Sequence, residues 1–163
     1  SRGIGSLTHV FGELFKMMAG VDLVHVPYNA DYTTDLLSGR VQIAFNAVAE
    51  SAGYIKDGRL TALGITTAKR FAELPNIPTI SESLPGYETS GWLGIVAPRA
   101  TPESIVERLN GNINSVVAEP AIQKRLAGMG IVPMSMSAAA FGKFMAAETE
   151  KWAKVIKFAK IKV

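Results

Sequence analysis

Three residues near the start of the chain have the types and spacing of a reacting group: Ser6, His9 and Glu13. On a helix they share one face. A serine nucleophile would need more than that. The serine must sit on a strained elbow, and the acid must hold the far imidazole nitrogen. The run Gly3-Ile4-Gly5-Ser6 lacks the G-x-S-x-G elbow, so an imidazole oriented by Glu13 is the simpler expectation, with a hydrolase using Ser6 and His9 as the alternative. The second histidine, His25, stands between Val24 and Val26 in a β-rich run and is expected on the opposite sheet face. Two histidines without an H-E-x-x-H pair or an acidic cluster predict no metal site. The loop also lacks the G-K-[ST] ending of a P-loop. With 0 cysteines, disulfides, zinc ribbons and thiol catalysis are excluded.

What remains is binding. Ser1, Gly3, Gly5 and Ser6 form a glycine-rich loop that feeds a periodic apolar stripe: Leu7, Val10, Phe11, Leu14, Phe15 and Met18. That spacing predicts a helix with Ser6 as N-cap and Gly20 just past its end. A loop entering a helix N-terminus presents free N–H groups at the positive end of the dipole, a site for a carboxylate or phosphate. The plainer alternative is a flexible loop before a capped core helix.

The elements behind the loop alternate. Val21–Pro27, Val41–Phe45 and Leu60–Thr66 read as strands. Between them lie a short helix ending at Leu37, capped by Asp31 or Thr33, and a helix over Ala47–Lys56. This order predicts an α/β fold with helices covering a parallel or mixed sheet. The ends of the first two strands then share a crevice with the loop, which adds Tyr28, Asn29, Phe45 and Asn46 as candidate wall residues. Five of the 8 prolines fall within 71–102, so that stretch reads as a crossing segment. Beyond it, helices are expected from Glu103, from Pro120 and after Ser137, with a short strand at Ile131–Met134.

Composition narrows the partners. Apolar residues make up 48% and charged residues 19% of the 163 residues, enough for a core. No apolar run is long enough to span a membrane. A net charge of +3 without a basic–aromatic patch makes nucleic acid a poor partner. The basic stretch Lys151–Lys162 suits a solvated helix end.

Taken together, GSLTHVFGELFKMMAGVDLVHVPY, SGRVQIAFN, IKDGRLTALGITTAKR, LPNIPTISE and LPGYETSGWLGIVAP, followed by TPESIVERLN and FGKFMAAETEKWAKVIK, resemble the tripartite tricarboxylate transporter substrate-binding proteins, the Bug family. The likeness runs in order through the whole chain. It implies a periplasmic-binding-protein-like, type II Venus-flytrap fold. It also implies a periplasmic, non-enzymatic receptor without cofactor, which captures a small carboxylate and delivers it to a membrane permease. On the matching loop, Gly3, Gly5, Ser6 and Thr8 inherit the carboxylate-gripping role, with Ser1 and His9 beside them. The resemblance further implies that the first lobe's glycine-rich loop and a signal peptide lie outside this sequence. We therefore expect 1–70 to form most of the second lobe, 71–102 to cross between lobes, and 103–163 to return toward the first. The sequence departs from the family pattern at Asn29–Ala30, where a lysine–glycine pair is usual, and at Ser83, where a glycine usually stands. Helix faces left uncovered would favour a homo-oligomer or a swapped dimer. Two further alternatives are a non-binding α/β interaction module and a sensor domain on the same fold.

Overall fold

The computed structural model describes residues 1–71 and 74–162; Ala72 and Glu73 of the expected crossing segment and Val163 of the C-terminal segment lie outside the described residues. The backbone groups into two compact units, Ser1–Trp92 with Trp152–Val163, and Leu93–Lys151.

The first unit is built on helix α1, Leu7–Ala19. Ser6 is its N-cap, in extended backbone, with Oγ accepting the His9 amide at 3.3 Å. Gly20 closes it in the left-handed conformation at φ 66°, donating its N–H to the Lys16 carbonyl; a Cβ would be strained there. The buried face differs from the predicted stripe. It carries His9, Val10, Glu13 and Leu14, while Leu7 is 56% exposed. Leu14, Tyr87 and Val155 form the core, flanked by Phe15, Phe45, Ile80 and Trp152. Tyr87 meets Phe15 edge-on at 5.9 Å and donates its hydroxyl to the Phe11 carbonyl, and Phe11 stacks on Trp152 at 5.6 Å. Burial pushes the Tyr87 phenol up to about 12. Its two ring edges are thus committed, one to packing and one to a hydrogen bond.

Two shorter helices follow, α2 at Thr33–Leu37 and α3 at Val48–Lys56. Asp31 Oδ1 accepts both the amide and the hydroxyl of Thr33, so the aspartate caps α2 from one residue further out than a standard N-cap.

The strands are the main departure from expectation. Val21–Pro27, Val41–Phe45, Leu60–Thr66 and Ile131–Met134 form no strand ladder among the described residues. A β-rich run suits a pleated surface, but a sheet also requires a hydrogen-bonding neighbour on the right side. Among the described residues the strand-like pairings are single rungs. Ile65 bridges Thr79 in parallel, donating to the Pro78 carbonyl at 2.8 Å and accepting from Ile80 at 2.9 Å. Ser1 repeats that pattern beside Pro27: its amino group donates to Val26 O, and its carbonyl accepts the Tyr28 amide, both at 3.0 Å.

The proline-rich stretch holds a local structure. A 3₁₀ turn, Ile80–Glu82, carries a full capping box with Thr79, and Arg70 grips Glu82 with two bonds of 2.8 and 2.6 Å. That fork, with the Thr79 amide, holds the Glu82 carboxyl down to about 2.

The second unit contains α4 (Glu103–Ala118), α5 (Pro120–Gly128) and the larger part of α6 (Ala138–Ala159). Ser137 Oγ accepts the Ala140 amide and so caps α6. Asn110 and Asn114 both donate to the Met136 carbonyl at 3.0 Å, tying α4 to the segment before α6. The Phe141 ring lies over Gly94 so closely that a Cβ there would meet it at 2.2 Å. No described residue of this unit is buried.

Candidate functional site

The loop Ser1–Ser6 takes its shape from two glycines. Gly3 and Gly5 have φ of 112° and 77°, conformations that a side chain would strain. The turn then closes on itself. Ser6 Oγ donates to the Gly3 carbonyl at 2.8 Å, and the Ser6 amide donates to the same carbonyl at 3.3 Å. Ser1 Oγ contacts both the amide and the carbonyl of Gly3, at 3.3 and 3.1 Å. Thr8 Oγ1 accepts the Arg2 amide at 3.2 Å.

Two histidines lie beneath this loop. The rings of His9 and His25 stack with centroids 3.7 Å apart and planes 10° from parallel. His9 Nδ1 accepts the Gly5 amide at 3.1 Å. His25 Nε2 lies 2.6 Å from Ser1 Oγ. Glu13 Oε1 stands 3.7 Å from His9 Nε2 and accepts from Lys16 at 3.1 Å. Burial lowers the pKa of both imidazoles. His25 goes to about 4, with His9 adding to the effect; at His9 the Glu13 charge opposes it. His25 is therefore not on the opposite face, as alternation predicted. Without a regular ladder around it, the period-2 rule does not apply. Nor do Ser6 and His9 make a nucleophile–base pair, since the Ser6 hydroxyl goes to a carbonyl and His9 Nδ1 to an amide.

Two adjoining cavities open beside the loop. One, of about 300 Å³, is lined by Arg2, Ser6, Leu7, Thr8, Asn46, Ala47 and Glu50. The other, of about 230 Å³, is lined by Arg2, Tyr28, Asn29, Ala30 and Asp31. The starts of α1 and α3 thus face one space. The amides of Leu7 and Thr8 and of Val48 and Ala49, in the first turns, have no partner within their helices.

Of the expected site residues, Ser6, Thr8, Tyr28, Asn29 and Asn46 line these cavities. Ser1, Gly3, Gly5 and His9 lie behind them as the loop's internal framework, with the Gly3 and Gly5 amides already accepted by Ser1 and His9. Phe45 packs into the core against Phe15 and Gly12. Tyr28 donates its hydroxyl to Asp35, which raises its phenol pKa, and Asn46 is held by Tyr32 and Ser51.

Arg2 was missed by the sequence reading, which weighed the loop only for glycines and hydroxyls. Its guanidinium lines both cavities and donates to Glu50 at 2.7 Å. Asp31 stands at the same opening, held below its usual range by the Thr33 hydroxyl and amide with Arg2 adding to the effect. Arg2 against Glu50 and Asp31 leaves the lining with one net negative charge. Among the described residues, no group of three or more His, Asp or Glu side chains could hold a metal, and no helix is long and apolar enough to cross a membrane.

Comparison with known proteins returns one family, the tripartite tricarboxylate transporter family receptor, matched over residues 1–161. A UPF0065 protein of Pseudomonas sp. (strain P51) is 38% identical over 160 residues, covering 96% of this chain and 48% of that one. An R. palustris structure described with adipate shares 36% identity at a TM-score of 0.78, covering 96% of this chain and 54% of the other. A Rhodopseudomonas palustris structure with bound malate shares 26% identity at a TM-score of 0.72, over 93% and 54%. The chain thus spans about half the length of each of these proteins.

Proposed function

The chain belongs to the tripartite tricarboxylate transporter receptor family, and from that premise we propose that it takes part in capturing a small dicarboxylate outside the cytoplasm for delivery to a membrane permease. In this reading residues 1–70 are most of the second lobe of a type II, Venus-flytrap α/β receptor, and 71–102 cross between its lobes. The helical stretch from Glu103 to Lys151 belongs with the first lobe. The receptor acts by binding and hinge closure and needs no cofactor.

One observation carries the proposal: the α1 and α3 N-termini open onto a cavity whose rim holds a single arginine, Arg2, already paired with a carboxylate. A ligand carboxylate takes the Leu7 and Thr8 amides, where the helix dipole favours it. Arg2 leaves Glu50 for a second ligand carboxylate, so diacids should bind more tightly than monoacids. Adipate and malate, the ligands of the two similar structures, are both of that class.

The test is an NMR titration of the chain with adipate, because one lobe's contacts give affinities on the order of millimolar. Shifts confined to Arg2, Ser6, Leu7, Thr8, Asn46 and Glu50 support the site. Arg2→Ala should weaken adipate about tenfold and leave a monocarboxylate of the same length nearly unchanged. Shifts located elsewhere, or none at saturating adipate, would overturn it.

A further inference from the structure

We propose that His9 and His25 are positioning residues: a stacked neutral pair that holds the glycine-rich loop in its cavity-facing shape and releases it on protonation. Neither ring lines the two cavities beside the loop, yet each holds a different point of the loop. His9 Nδ1 accepts the Gly5 amide, and His25 Nε2 meets the Ser1 hydroxyl, which in turn holds Gly3 at both its amide and its carbonyl. Removing the His9 contact leaves the Gly5 amide without that acceptor, and removing the His25 contact unanchors the Ser1 hydroxyl that helps hold Gly3.

The geometry fixes the protonation state. A nitrogen that accepts an amide proton carries none itself, so His9 is the Nε2–H tautomer, with that proton directed toward Glu13. Protonating Nδ1 would set two N–H donors against each other. Rings stacked at 3.7 Å also resist sharing two positive charges. The charged groups facing the pair are Glu13 and Lys16 from α1 and the Ser1 amino group from the loop. Only Glu13 favours an imidazolium; Lys16 opposes it, and burial of both rings works in the same direction as Lys16.

The sign follows from these lowered values. At neutral pH both rings are neutral and the loop is held. As pH falls through the folded-state values, one ring gains a proton and a loop contact breaks. The effect on a ligand rests on the proposed function, whereas the effect on the loop does not.

The deciding measurement is therefore made on the full 163-residue chain without ligand. Proton–nitrogen spectra follow the Gly3, Gly5 and Ser6 amides and both imidazoles from about pH 8 to about pH 3. The Gly5 amide shift should track the imidazole titration, and its exchange, corrected for intrinsic rate, should speed about tenfold as the contact breaks. His9→Asn keeps an acceptor near the Nδ1 position but cannot be protonated. It should hold Gly5 and flatten that pH response, whereas His9→Ala should leave Gly5 unprotected at every pH. His25→Gln should flatten the response at Gly3 in the same way. A Gly5 amide indifferent to imidazole titration in the wild-type chain, or titrating equally in His9→Asn, would overturn the proposal. Either result leaves adipate binding at neutral pH free to stand or fall by itself.

Discussion

The two compact units of this chain handle similar apolar patterns in opposite ways. In the first, Val10 and Leu14 of α1 are 8% and 4% exposed, and Tyr87 and Val155 are fully buried. In the second, Ile105, Leu109 and Val116 make just as regular a stripe along α4, yet they are 44%, 48% and 49% exposed. Periodicity says which face of a helix is apolar, and it says nothing about what covers that face. The first unit has a core because Tyr87 and Val155 return from distant points of the chain to meet Leu14. The second has ties of its own, the asparagines on Met136 and the Phe141 ring over Gly94, but they bury none of its described residues.

Core truncation should show the largest contrast. Leu14→Ala removes a buried side chain and is expected to cost about 2–5 kcal/mol. Leu109→Ala, half exposed already, should cost less than about 1 kcal/mol. The chain's 2 tryptophans, Trp92 and Trp152, both belong to the first unit. Urea unfolding read by tryptophan emission therefore reports on that unit, and circular dichroism reports on the helices of both. Equal costs at the two positions would break the contrast.

The next test sharpens it. An exposed apolar stripe seeks a cover, and a second copy of the chain is the nearest one in a concentrated sample. Sedimentation velocity should show concentration-dependent association that weakens several-fold in the double variant Leu109→Glu, Val116→Lys. The first unit's tryptophan emission should not change. A monomer at all concentrations would mean the stripe is already covered.

A smaller effect is expected at the α1 cap. Ser6→Ala removes the oxygen that accepts the His9 amide and the hydroxyl that holds the Gly3 carbonyl. The stability cost is about 1 kcal/mol, while the loop loses a hydroxyl that faces the cavity. If the proposed site is correct, adipate-induced shifts at Leu7 and Thr8 should shrink more than stability falls.

These expectations also mark how far the sequence could be read. Helices were legible because their signals are local: Ser6 and Gly20 bracket α1, Pro120 opens α5 and Ser137 caps α6. Strands were not, because a ladder depends on partners that a run such as Val41–Phe45 cannot itself supply. Within the site, the loop's glycines and Ser6 were readable from type and order. The stacking of His25 on His9, 16 positions away along the chain, had no local signal. Nor did the pairing of Arg2 with Glu50 across the opening, since a lone arginine in a loop is usually a solvated one.

The smallest expected effect concerns charge. In the first unit Glu82 is gripped by two bonds from Arg70 and one from the Thr79 amide; in the second, Lys151 reaches Glu148 by a contact of 3.5 Å. The Glu82 carboxyl is depressed from its ordinary 4.5 to about 2. A depressed acid contributes stability that is fully present above its unfolded value and fades as pH falls from there through the folded one. Acid unfolding followed by tryptophan emission should therefore lose this contribution between about pH 4.5 and about pH 2. Glu82→Gln should flatten that part of the curve, and Arg70→Gln should shift it to higher pH. Both groups are solvent-exposed, so the change stays small and weakens further in salt. Glu148→Gln should leave the curve in place. A matching shift from Glu148→Gln would show that the turn around Thr79 contributes no more to its unit than an ordinary helix-surface pair does to the other.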